Sequence, residues 1–161
     1  MTDHGGDGQG YRGPQVCKIV GITYRQLDYW ARTDLVRPSI CDANGSGTQR
    51  LYSYTDLVEL KIVKRLLDAG VALQSARKAI EYLRTQLGAD LASAHLVLDG
   101  PRAVLAQTND QIVDLLREGQ GVLNVIALGP VMHDIEDGLA QVGPAEQLTL
   151  DGRSSPRAAA R

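Results

Sequence analysis

Apolar residues repeat at helical spacing through the first half of the chain. Val16, Ile19 and Val20 fall at i, i+3 and i+4, and Leu27, Trp30 and Ala31 repeat that spacing after a break at Gly21-Ile22. Pro14 suits the first turn of the earlier helix. Thr23, followed three residues later by Gln26, is a capping box that opens the second. The spacing therefore predicts two short helices joined by a very tight turn. A further Ser53/Asp56 cap precedes Leu60, Val63, Leu66 and Leu67, with Gly70 as the stop. Leu73, Ala76, Ile80, Leu83 and Leu87 then form a seam at alternating steps of three and four, closed by Gly88.

Between the second and third helices the pattern changes. Leu35 to Ile40 reads as extended, since Pro38 biases Arg37 away from helix. Asn44-Gly45-Ser46-Gly47 is a turn cluster, and Gln49 to Tyr52 returns as a strand. A β-hairpin is predicted here, with Arg50 and Tyr52 on one face by the period of two.

The second half is β-rich. His95 to Leu98 and Arg102 to Ala106 are strand candidates about an Asp99-Gly100 turn. A helix capped by Thr108 or Asn109 carries Ile112, Val113, Leu115 and Leu116, and Gly119-Gln120-Gly121 breaks it. Val122 to Leu128 is the most strand-like run, Gly129-Pro130 ends it, and a weak last helix spans Val131 to Val142. A β-β-α-β unit of this size buries little alone, so it is expected to pack on the front of the chain or on a partner subunit. Residues 1–10 and 144–161 are polar, Gly- or Ser/Ala/Arg-rich, and expected to be disordered.

On the second helix the apolar stripe leaves Arg25, Gln26, Asp28, Tyr29 and Arg32 facing out. Arg reads guanine bidentately, Gln reads adenine, and Tyr donates to phosphate, so this face suits a DNA groove. Arg50 and Tyr52 on the hairpin suit phosphate contact.

The net charge of -2 argues weakly against a nucleic-acid partner, but its distribution does not. Through Leu87 there are 12 basic and 9 acidic residues (+3); from Gly88 on there are 5 basic and 10 acidic (-5). Two cysteines, Cys17 and Cys41, make neither a disulfide framework nor a metal spacing. No long apolar run spans a membrane, no signal-peptide plan is visible, and a reducing cytoplasm is the expected compartment.

The run Gly21-Ile22-Thr23-Tyr24-Arg25-Gln26-Leu27-Asp28-Tyr29-Trp30, then Leu35-Val36-Arg37-Pro38, Gln49-Arg50-Leu51-Tyr52-Ser53-Tyr54-Thr55-Asp56-Leu57 and Leu66-Leu67-Asp68-Ala69-Gly70-Val71-Ala72-Leu73, resembles the DNA-binding domain of the MerR family over residues 11–87. The opening Tyr11-Arg12-Gly13-Pro14 is similar to actinobacterial regulators of that family. The resemblance implies a homodimeric transcription regulator that binds an inverted-repeat promoter site, with RNA polymerase as a possible further partner. It places Thr23, Tyr24, Arg25 and Gln26 at the major groove, Tyr29 at a phosphate, and Arg50 and Tyr52 where the wing grips the backbone.

Three features depart from the family pattern. The family's usual Arg-Tyr-Tyr is Asp28-Tyr29-Trp30 here. Asp28 would repel a phosphate, and can instead accept from cytosine or orient Arg25 or Arg32. Ala72 stands where a capping Ser or Thr is common, forgoing about 1 kcal/mol. The long dimerisation helix is replaced by the β-rich module, so dimerisation is expected through residues 89–143 or the seam at 73–87.

The expected fold is mainly α with small β. A four-helix winged helix-turn-helix DNA-binding domain (11–87) precedes a small α+β dimerisation or effector module (88–143). His95 and His133 lie apart with no nucleophile motif, the chain holds no phosphate loop or metal triad, and no enzyme activity, metal or cofactor is expected. A small-molecule sensor with secondary DNA contact and an excisionase-like architectural DNA-binding protein are the competing functions.

Overall fold

The computed structural model describes residues 10–41, 50–86, 89–100, 102–118 and 123–142. The Asn44–Gly47 turn, Gln49, Leu87, Gly88, the Gly119–Gly121 break, Val122 and both expected tails lie outside the described residues, Gly10 apart. The chain divides into two compact units: one takes residues up to Val58 together with those from Asp137 on, and the other runs from Glu59 to Glu136. Both cuts fall inside helices, after Val58 and after Glu136.

In the first unit a two-residue strand β1 (Tyr11–Arg12) leads directly into α1 (Gly13–Val20). The turn to α2 (Tyr24–Arg32) uses Gly21 at φ 84°, a left-handed conformation that costs glycine little. Val16, Ile19, Val20, Leu27, Trp30 and Ala31 are all buried, as their spacing predicts. Strand β2 (Leu51–Tyr52) meets the expected Leu35–Ile40 segment only at its end, where the Ile40 N–H donates to the Leu51 carbonyl at 3.2 Å. It pairs antiparallel with β1, Tyr11 opposite Tyr52 and Arg12 opposite Leu51, while Cys41 makes a single bridge to Leu51. Leu35 and Val36 instead turn back onto the end of α2, their N–H groups both donating to the Trp30 carbonyl, and are buried there. Helix α3 (Tyr54–Asp68) begins with the expected box: the Ser53 hydroxyl accepts the Asp56 N–H at 3.2 Å, and the Asp56 carboxylate accepts the Ser53 N–H at 2.9 Å. The end of helix α6 (Leu128–Val142) belongs to this unit too, where a Cβ added to Gly138 would meet Ile19 Cγ2 at 2.9 Å.

In the second unit α3 stops at Gly70, φ 87°, and α4 (Leu73–Thr85) starts from Ala72 with no side-chain cap. Along the seam Ala76, Ile80 and Leu83 are buried, joined by Ala79. Strands β3 (His95–Asp99), β4 (Arg102–Ala106) and β5 (Leu123–Ala127) form an antiparallel sheet in the order β4-β3-β5. Leu96, Val97 and Leu98 of the central strand are almost fully buried. The Tyr82 hydroxyl of α4 accepts the Leu105 N–H at 3.1 Å, tying α4 to β4. Helix α5 (Asn109–Glu118) links β4 to β5 and buries none of its residues. A single 3-10 turn, Leu91–Ser93, precedes the sheet. Gly129 and Pro130 do not end the last strand as a loop; they occupy the first turn of α6, where a proline lacks no needed donor. The fold is thus mostly helical with small antiparallel sheets. No described helix is long and apolar enough to cross a membrane.

Candidate nucleic-acid interface

Helix α2 is short, and its start is held by its own side chains. Thr23 has extended backbone, its hydroxyl accepts the Gln26 N–H at 3.1 Å, and Gln26 Oε1 accepts the Thr23 N–H at 3.0 Å. Two of the helix's unpaired N-terminal donors are thereby satisfied. Burial of Leu27, Trp30 and Ala31 fixes the rotation of the helix. The opposite face presents Thr23, Tyr24, Arg25, Gln26 and Tyr29 to solvent, with Tyr24 60% and Tyr29 46% exposed.

The Tyr24 ring is not loose. A Cβ at Gly13 would stand 3.0 Å from Tyr24 Cε2, so the aromatic edge leans on the start of α1. Gln26 is partly committed: with its carbonyl oxygen held by Thr23, its amide N–H groups alone face outward. It can donate to a base or phosphate, but a bidentate adenine contact would require the cap to open.

Asp28 pairs with one of the two arginines named from the sequence, Arg32, and with Arg50. Its Oδ2 accepts from Arg32 Nε at 2.8 Å, its Oδ1 accepts from Arg50 Nη1 at 2.8 Å, and it makes no bond to Arg25. The bond to Arg50 first, and then that to Arg32, holds the Asp28 carboxyl below the ordinary range, so it stays ionised. For Arg50, burial works to lower the guanidinium pKa; the Asp28 bond and the fields of Tyr52 and Tyr24 outweigh it, and the net shift is upward. The bond from Arg50 to Asp28 is one that the sequence reading did not foresee. The Asp28–Arg32 pair is legible as i, i+4, whereas the Arg50 contact spans 22 residues.

Tyr52 requires a correction. It has no exposed surface, and its ring forms part of the core beside β1. The alternation that puts Arg50 and Tyr52 on one face holds, but that face turns inward. Arg50 retains 16% side-chain exposure, and Tyr52 retains none. Tyr52 therefore supports the strand rather than reaching a backbone phosphate.

Residues 11–83 match the family described as MerR HTH family regulatory protein. Residues 11–83 are a MerR-family helix-turn-helix domain. The match covers α1, α2, β2 and α3, and most of α4. Over 120 residues the chain is 54% identical to an uncharacterized HTH-type transcriptional regulator of Mycobacterium bovis, and to the same degree to two so described from Mycobacterium tuberculosis strains. That alignment takes in 74% of this chain and 53% of each relative, so the chain spans about half the length of the curated relatives it matches. Among the described residues, no group of three or more His, Cys, Asp or Glu side chains could hold a metal ion.

Proposed function

We propose that the protein is a sequence-specific DNA-binding transcriptional regulator that acts as a homodimer on an inverted-repeat promoter site in the cytoplasm, with RNA polymerase as a further partner. The observation that carries the reading is the capped α2 of a MerR domain, rotated by Leu27, Trp30 and Ala31 so that Tyr24, Arg25, Gln26 and Tyr29 face outward together. In this reading Arg25 contacts a base edge, Thr23 and Gln26 fix the helix start at the groove, Tyr24 and Tyr29 meet the sugar-phosphate backbone, and Arg50 adds a phosphate contact from β2. DNA affinity then comes mainly from phosphate neutralisation, and sequence choice from Arg25.

A second copy is supported by the other unit. Helix α5 has no buried residue, and Val113 and Leu116 on it are 41% and 53% exposed, as is Val125 of β5 at 41%. Apolar surface of this kind is suited to an interface between copies.

Selection of bound duplexes from a random pool at near-physiological salt, with particle size measured on the same preparation, tests both parts. An enriched inverted repeat bound by a dimer is expected. The absence of any enriched sequence, or a monomer on the selected duplex, would overturn the reading. Arg25→Ala should then lower affinity for the selected site by about 1–3 kcal/mol and relax choice at one base pair.

A further inference from the structure

The outward face of α2 carries a carboxylate where a DNA-facing surface would be expected to be purely cationic. Asp28 is part-exposed, its carboxylate oxygens each take a different guanidinium, and the two arginines come from separate elements. Arg32 lies one turn further along the same helix, and Arg50 immediately precedes β2. A lone acidic residue on this face would repel phosphate with nothing gained. This one joins two arms of the surface.

We propose that Asp28 is a positioning residue for DNA discrimination: its carboxylate fixes Arg50 against the recognition helix and cancels one of the two charges that Arg32 and Arg50 would otherwise offer to any duplex. The proposal rests on the reading of α2 and Arg50 as the duplex-facing surface.

The geometry shows how the two effects combine. A guanidinium has five N–H donors in a rigid fork. Arg32 spends Nε on Asp28 and its side chain is 64% exposed, so its Nη groups can meet phosphate oxygens, while Arg50 is held to the same carboxylate through one Nη. Both guanidinium groups are aimed, because each is anchored to that carboxylate. The cluster carries a net charge of one rather than two, and binding to DNA of any sequence depends on how many phosphates are neutralised. Asp28 therefore weakens binding to arbitrary sequence more than it weakens binding to a site where the aimed donors find their phosphates. Its depressed pKa keeps this charge in place at any physiological pH. Burial around Arg50, whose side chain is 16% exposed, limits the alternative rotamers that would release it.

The test compares the full-length protein with Asp28→Asn and Asp28→Glu. Each is measured on the selected duplex and on a scrambled duplex of equal length, across a salt series. Asp28→Asn is expected to bind the scrambled duplex several-fold more tightly, with a salt slope steeper by about one. Its ratio of specific to scrambled affinity is expected to fall by about tenfold or more. Asp28→Glu, which keeps the charge, should return the slope to that of the wild type. Thermal unfolding of each variant confirms that the fold is retained. A slope and ratio unchanged in Asp28→Asn would overturn the proposal, and so would an equal weakening of both duplexes with no steeper slope. A Glu variant that behaves as Asn would overturn the role of the charge. Failure of the wild type to prefer the selected duplex would overturn the underlying regulator reading instead, so the two failures are distinguishable.

Discussion

The backbone N–H and the hydroxyl of Ser39 both donate to one carboxylate oxygen of Asp56, at 2.7 and 2.8 Å. The same oxygen receives the Ser53 N–H, so a single buried acceptor closes the loop after α2 onto the start of α3. Asp56→Ala would strand those donors. A loss of about 3 kcal/mol is expected, read as a lower midpoint in urea unfolding. Asp56→Asn, which keeps an acceptor without the charge, should lose less. Equal midpoints for the wild type and the Ala variant would show that water replaces the carboxylate without cost.

Tyr52 separates structural support from DNA contact. Tyr52→Ala leaves a cavity in the β1–β2 core and should cost about 3–5 kcal/mol of stability. Tyr52→Phe retains the ring, and its affinity for the selected duplex should stay close to wild type at a temperature where both are folded. A large, selective loss of DNA affinity in the Phe variant would restore Tyr52 to the interface.

Acid should loosen the Asp28 cluster in a defined window. Its bonds to Arg50 and then Arg32 lower the carboxyl below its ordinary value of 3.8, so the folded state prefers the ionised form. The stability this contributes is present above pH 3.8 and is lost as pH falls below that value through the lower folded pKa. The gap in unfolding midpoint between wild type and Asp28→Asn should thus be constant near neutrality and narrow in acid. A gap that stays constant down to the lowest pH at which the fold survives would contradict the pairing.

The cysteines should differ in reactivity. Cys41 is exposed, whereas Cys17 is half-buried in α1 and burial pushes its thiol above the ordinary 9.0. At mildly alkaline pH an alkylating reagent should modify Cys41 first, with Cys17 slower by about tenfold or more. Urea should erase the difference. Equal rates under native conditions would mean that α1 opens readily.

What the sequence makes legible follows the range of the interaction. The Thr23/Gln26 and Ser53/Asp56 boxes each lie within one turn, so both partners can be read from adjacent residues. The helical stripes Val16/Ile19/Val20 and Leu27/Trp30/Ala31 are equally local, and all six are buried. The order and type of β3, β4, α5 and β5 are readable from turns and alternation. The partner of β2 is not: two residues carry too little pattern to indicate that Tyr52 pairs with Tyr11, far away in sequence. Periodicity likewise shows that Arg50 and Tyr52 share a face without saying which face is inside. The bond from Asp28 to Arg50 depends on that same pairing, so it too is absent from any local motif.

Gly138 stands against Ile19 with no room for a methyl group, although alanine is otherwise favoured over glycine in a helix by about 1 kcal/mol. The last turns of α6 thus press on the helix that buttresses α2. A fragment ending at residue 87 would hold every residue assigned here to the DNA surface and still lack the segment that covers Ile19. The boundary of the family match and the boundary of the folded unit are two different things in this chain. A truncation drawn from the first would be expected to melt earlier than the full-length protein, and to underestimate how tightly its reading head is held.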